Sequence, residues 1–286
     1  MRIDSHQHYW KVGRGDYHWM SPSTPVLYRD FLPNDLLPLL YEQHIDKTIV
    51  VQAAHTMEET DFLLSLASKE DSIAGIVGWL ELNDVSFPER FDTYRKRFKF
   101  VGIRPMLQDI AEDDWILRPR VLESLRVIAE LPFPIDLLVY SRHLPHVLKM
   151  LEIVPELRAV VDHLAKPDIR AGIMEPWKSL MRELAQHKNL HCKLSGLITE
   201  ANITNWKSND IRPYVDHVLD CFGVDRIMYG SDWPVCLLAG SYAQTVDLVY
   251  ELLGVGESDP VSVKIFGSTA MRFYGLHWAT SEPVLV

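Results

Sequence analysis

Four side chains combine the types that activate water. His6 and His8 stand two residues apart in DSHQHYW, His163 closes RAVVDH, and Asp232 follows a glycine and a serine in YGSDWPVC. On an extended chain residues i and i+2 project to one side, so His6 and His8 can grip one water or one metal ion. A carboxylate beside them could take a proton from water as general base. Each residue alone also has an ordinary explanation: a strand-end histidine is often a hydrogen-bonded structural group, and an aspartate after Gly-Ser is a turn former. Arg104 and Lys193 lie in apolar runs, where a charge is costly unless paired or used. They read either as donors to a developing oxyanion or as structural partners of an inward acid such as Asp4 or Asp136. Around this set, Trp10, Tyr17 and Trp19 come from one aromatic-rich stretch and Trp233 stands next to Asp232. Flat rings of this kind suit the apolar faces of sugars, and Gln52, Trp79 and Gln108 add pocket candidates.

Positioning these groups needs strands that end at one place. Eight short β-rich runs recur, over 2–8, 48–53, 73–80, 100–104, 135–140, 158–163, 189–194 and 226–230. Several are near-continuous Val/Ile/Leu stretches, as in parallel strands buried on both faces. Between them lie helical patterns. Leu144, Val147, Leu148 and Leu151 share one face at 3.6-residue spacing, and Trp177, Leu180, Met181 and Leu184 repeat it after Pro176. Val246, Val249, Tyr250 and Leu253 do so again, with Gly254 as the stop signal. Eight alternating units predict an α/β fold, a (β/α)8 TIM barrel, with the chemistry at the C-terminal strand ends. On strict alternation Ala159, Val161 and His163 share the inward face of the sixth strand, and Lys193 faces inward from the seventh.

Composition narrows the function classes. Among 286 residues, 29 Lys+Arg stand against 39 Asp+Glu, a net charge of −10, which lacks the basic footprint of a nucleic-acid or anionic-membrane binder. No stretch approaches the ~18 consecutive apolar residues of a membrane span, and MRIDSHQHYW lacks a signal-peptide core. Three scattered cysteines make neither a disulfide framework nor a zinc knuckle. No Gly-rich nucleotide turn follows the first run, and GSDWP is not the GxSxG of a serine nucleophile. The expectation is a cytoplasmic chain, one domain over 1–286, acting on a small molecule, with no nucleic-acid or membrane partner; a homo-oligomer is compatible with it.

The phrases DSHQHYW, VGIRPMLQD, VDHLAKPDIRAG, CKLSGLITE, FGVDRIMYGSDWPVC and GSTAMRFYGL reach from residue 4 to residue 276. Together they resemble the amidohydrolase superfamily, in its amidohydrolase-2 branch, and most closely the L-rhamnono- and L-fucono-lactonase-like sugar-lactone hydrolases. The resemblance implies a barrel hydrolase that opens a cyclic ester with water. It carries His6 and His8 onto the first-strand pair, His163 onto the sixth-strand histidine and Asp232 onto the eighth-strand aspartate. Metal-rich relatives end their fourth and fifth strands in a Lys or Glu and a His, where this chain has Arg104 and Tyr140. A binuclear zinc centre is therefore not expected. No cofactor is expected to be obligatory, and one divalent ion, zinc, could be held by His6, His8 and Asp232. The alternatives are a zinc-dependent non-oxidative decarboxylase of the same branch, or a hydrolase of a carboxylated lactone, both of which would use Arg104 and Lys193.

Overall fold

The computed structural model describes residues 1–277 of the chain, so the end of the expected 1–286 span lies outside the described residues. All eight apolar runs are strands: β1 (Ile3–Gln7), β2 (Lys47–Val51), β3 (Ile73–Gly78), β4 (Phe100–Ile103), β5 (Ile135–Leu137), β6 (Ala159–Val161), β7 (Leu190–Leu194) and β8 (Ile227–Tyr229). They pair in parallel in chain order, as the (β/α)8 reading requires. Most are shorter than the runs read from the sequence, because the chain leaves the ladder early to build the loops that carry side chains.

Helices α1 (Pro33–Glu42), α2 (Met57–Ala67), α3 (Phe87–Tyr94), α4 (Pro119–Glu130), α5 (Leu144–Ile153) and α6 (Trp177–Leu184) fill successive crossovers. β7 returns through the turn α7 (Leu197–Glu200) and the long α8 (Ser208–Phe222). After β8 come α9 (Tyr242–Leu253), the turn α10 (Pro260–Val263) and α11 (Thr269–Tyr274). The expected periodic faces are the packed ones: Leu144, Val147 and Leu151 of α5 and Trp177, Met181 and Leu184 of α6 are buried. Gly254 ends α9 in the left-handed conformation, its N–H donating to Tyr250 O.

Two apolar layers result. Outward strand residues such as Val50, Leu137, Val161 and Cys192 pack against the helices. Inward ones, Ile3, Ile49, Val51, Val77, Val160 and Met228, fill the barrel, which Phe273 and Tyr274 of α11 close from below. This corrects the phase assigned to β6. Ala159 and Val161 face the helices and Val160 faces the interior, so His163 does not reach the mouth by alternation.

The seam between β1 and β8 closes differently from the other strand pairs. Here the chain beyond β8 runs alongside β1: His8 N donates to Trp233 O at 2.7 Å and Asp232 N to His6 O at 2.8 Å. Asp4 fastens the same seam, accepting from Ser231 N, Ser231 Oγ and Tyr242 OH at 2.9, 2.6 and 3.2 Å. Among the described residues no helix is long and apolar enough to cross a membrane.

Candidate active site

Three imidazoles converge on one oxygen. Asp232 Oδ1 lies 3.2 Å from His8 Nε2, 3.7 Å from His6 Nε2 and 3.9 Å from His163 Nε2. Each residue arrives by a local departure from regular structure. In β1, three steps from Asp4 to Gln7 match two steps of β2 from Thr48 to Val50, a bulge that lets both Ile3 and His6 face inward. Gly230 follows β8 so close to β1 that a Cβ there would stand 2.5 Å from His6 Cβ. Asp232 then turns with φ +56°.

His163 begins a left-handed turn. His163, Leu164, Ala165 and Lys166 have φ of 53°, 53°, 59° and 48°, a conformation costing about 1–2 kcal/mol per non-glycine residue. The turn is held by Trp177 Nε1 donating to Leu164 O at 2.6 Å and by Lys166 N donating to His163 O at 2.7 Å. Ser195 Oγ sits 2.8 Å from His163 Nδ1. Gly196 leaves the room this needs, since a Cβ there would meet Nδ1 at 2.8 Å.

Below the imidazoles runs a chain of buried charge. Tyr274 OH donates to both oxygens of Asp136, at 3.0 and 2.9 Å. Lys193 Nζ lies 2.5 Å from Asp136 Oδ2, 3.1 Å from Asp162 Oδ1 and 3.2 Å from His6 Nδ1. Arg104 Nη1 is 3.3 Å from Asp162 Oδ2, while Nε and Nη2 bond the Gln52 side-chain oxygen at 3.1 and 2.8 Å. Buried charges survive when each finds such partners. Of the two inward acids considered, Asp136 pairs with Lys193, whereas Asp4 meets neither cation because it belongs to the seam.

These contacts set the protonation states. Burial would raise the Asp232 pKa, but His163, His8 and His6 together hold it below the usual carboxylate range. Burial likewise opposes Asp162, and Lys193, His6 and Arg104 outweigh it, leaving Asp162 well below its ordinary value. For Asp136 burial wins over Lys193 and raises the pKa to about 6. Burial lowers His163 to about 4 despite Asp232 and Asp162, and pushes His6 well below 6.5 despite Asp162.

The mouth opens into a cleft lined by His8, Trp19, Arg104, Gln108, His163, Lys166 and Asp232 among others. The structure thus gathers His6, His8, His163, Asp232, Arg104 and Lys193 within one connected cluster, with Lys193 fully buried beneath His6. Of the aromatic candidates, Trp19 lines the cleft, its Nε1 donating to Ala53 O at 2.8 Å. Trp10, Tyr17 and Trp233 are buried behind it and are not among its lining residues: Trp10 and Trp233 meet Phe31 edge to face, and Tyr17 packs at a tilt on Trp10. Gln52 is buried on Arg104, and Trp79 lines an adjoining pocket. Two polar residues were not singled out from the sequence, Asp162 and Lys166. Both stand in the phrase VDHLAKPD, whose Asp-His pair was the available signal.

Whether the residues fit a metal can be judged from the donors. His8 Nδ1 is 2.7 Å from Val51 O and donates to it. Nε2 faces a carboxylate oxygen of Asp232 at 3.2 Å, an arrangement that a proton or a cation between them completes. His6, His8 and Asp232 offer ligand atoms all within 4.8 Å of one another, which fits one ion. His6, Asp162 and His163 meet the same spacing, but Lys193 and Arg104 already neutralise both Asp162 oxygens.

Comparison with known proteins agrees with this geometry. The chain matches the amidohydrolase family over residues 3–276. It is 41% identical to an L-fucono-1,5-lactonase of Burkholderia ambifaria, over 96% of this chain and 95% of that one. A second L-fucono-1,5-lactonase, from Burkholderia multivorans, is 38% identical over 96% of each chain. A crystal structure of an amidohydrolase from Burkholderia multivorans with bound zinc superposes with TM-score 0.91 and 37% identity, over 97% of this chain and 100% of that chain. An eight-stranded parallel barrel with paired histidines on its first strand, matched almost from end to end, belongs to the amidohydrolase family.

Proposed function

We infer that the protein hydrolyses a sugar-derived lactone, with L-fucono-1,5-lactone the first substrate to test. The observation that carries this is the convergence of three imidazoles on the ionised Asp232 at the floor of an open cleft. The two relatives named for that lactone support it. An ester carbonyl is more electrophilic than an amide's, so water activated by a carboxylate can attack it. Asp232 accepts the proton of the attacking water. The water oxygen bonds the carbonyl carbon, the ring C–O bond breaks, and the ring oxygen leaves as a hydroxyl carrying that proton. Lys166 faces the cleft with its ammonium 3.7 Å from Glu200 Oε1, loosely enough held to donate to the carbonyl oxygen as charge develops there. His163 holds the other side of the reacting centre. Arg104 and Lys193 act one step back, fixing His6 through Asp162.

His6, His8 and Asp232 are the residues that would hold one divalent ion, zinc by the nature of the donors; when bound it would lower the pKa of water and polarise the carbonyl. The decarboxylase and carboxylated-lactone readings would use Arg104 and Lys193 for a substrate carboxylate, and both are instead occupied by Gln52, Asp162 and Asp136.

The test is proton release from L-fucono-1,5-lactone by purified protein, with and without a chelator, beside Asp232→Asn. The expected loss in the variant is about 10²–10⁴-fold. Chelation is expected to lower the rate without abolishing it. Wild-type turnover by Asp232→Asn would overturn the assignment.

A further inference from the structure

Beside the catalytic cleft lies a second cavity that shares Met106 with it. Trp79 forms one wall, its position fixed by Thr60: the hydroxyl is 2.9 Å from Trp79 N and 3.2 Å from Trp79 O. Trp115, Ile110 and Met106 add apolar surface, and Glu81 and Asp109 contribute carboxylates. One Glu81 oxygen accepts Asn83 N at 2.9 Å, leaving the other free to accept from a ligand. Among the described residues no Lys or Arg lines this cavity, and its one basic side chain is His55, whose ring meets Trp79 edge to face at 6.2 Å. An aromatic wall with two acceptors and no Lys or Arg matches a neutral polyol, whose C–H face stacks on the ring while its hydroxyls donate to the carboxylates. An anionic group would face two like charges.

We propose that the substrate site continues past Met106 into this second lobe, and that the lobe receives a neutral, hydroxyl-bearing sugar ring attached to the lactone. The proposal rests on the lactonase reading and extends it from a single ring to a glycosylated lactone. It makes Trp79, Glu81 and Asp109 specificity residues that touch the substrate away from the ester.

The experiment compares L-fucono-1,5-lactone with its O-2, O-3 and O-4 galactosides, and with the matching galacturonosides and galactosaminides. At one linkage the galactoside is expected to exceed the galacturonoside in kcat/KM by about tenfold or more. In Trp79→Ala and Glu81→Gln the ratio of galactoside to parent lactone is expected to fall by about tenfold, the order of one lost stacking contact. Turnover of the parent by the same preparations reports that the variants are folded. The proposal is overturned if the parent is hydrolysed and no galactoside is, if the galactosaminide is the preferred substrate, or if the variants slow parent and galactoside alike. If no lactone is turned over at all, the lactonase reading fails. The lobe is then judged by binding of methyl β-D-galactopyranoside, followed by tryptophan emission: loss of binding in Trp79→Ala supports it, and no binding by the wild type overturns it.

Discussion

Lys166 and Arg104 both line the cleft, yet they are held very differently. Arg104 is bonded to Gln52 and paired with Asp162, and only 2% of its surface is exposed. Lys166 has a single carboxylate at 3.7 Å and stands over the Tyr140 ring at 5.4 Å. A substrate oxygen can therefore recruit the lysine without breaking a buried pair. Lys166→Met is expected to lower kcat for the lactone by about 10²-fold, the usual loss of one oxyanion donor, with Lys166→Arg recovering part of it. An unchanged kcat in steady-state hydrolysis would remove the lysine from the reaction. Nothing in composition or spacing marks this residue, because a lysine in a polar loop is ordinary. Its place in the cleft follows from four successive positive φ angles. His6, His8, His163 and Asp232 stood out in the sequence only as a joint pattern at the ends of the first, sixth and eighth runs and through the family phrases around them, since each alone is ordinary there. Asp162 was not, since the assumed inward phase of Ala159 and Val161 left it facing the helices.

The connection from β2 to α2 shows how an element can hold a loop in place. Glu59, in the first turn of α2, reaches back to accept Ala53 N at 3.0 and 3.1 Å and Ala54 N at 2.8 Å. The same stretch receives the Trp19 indole on Ala53 O, so this carboxyl fixes one wall of the cleft. Burial raises its pKa from 4.5 to about 7 even though both backbone bonds pull it down. The folded protein consequently holds this proton where the unfolded chain has lost it. Stability contributed here is present below about pH 4.5 and declines as the pH rises to about 7, by up to ~1.4 kcal/mol per pH unit. Asp4 and Asp136, both raised to about 6, act in the same direction. His6 and His163, held neutral by burial, act in the opposite direction below about pH 6.5, so the readout is the difference between variant and wild type. Glu59→Gln is expected to lower the denaturant midpoint by more at pH 5 than at pH 7, shifting its slope against pH upward. An unaltered slope would place its origin elsewhere. The existence and order of the elements were readable from apolar periodicity. The bulge in β1 and the early exits from β5, β6 and β8 were not, because they depend on neighbouring strands rather than on the local pattern.

Across the whole barrel, the proposed base and two of its histidines come from opposite margins of the sheet. His6 lies in its first strand, His8 just after it, and Asp232 in the stretch after its last, so the shortest contact among them joins residues 224 positions apart. Contacts that span so much chain form late, since the entropy of closing the loop must be met before they contribute. Recovery of function on dilution from denaturant is therefore expected to lag behind recovery of helical circular dichroism. The lag should lengthen in Ser231→Ala, which removes a hydroxyl from the Asp4 fastening without touching the imidazoles. Coincident recovery would mean that the margins meet early. Because an opened margin separates the base from its histidines, a partly assembled barrel would carry every helix and still turn over nothing, and enzymatic rate would count only the molecules whose two ends have met.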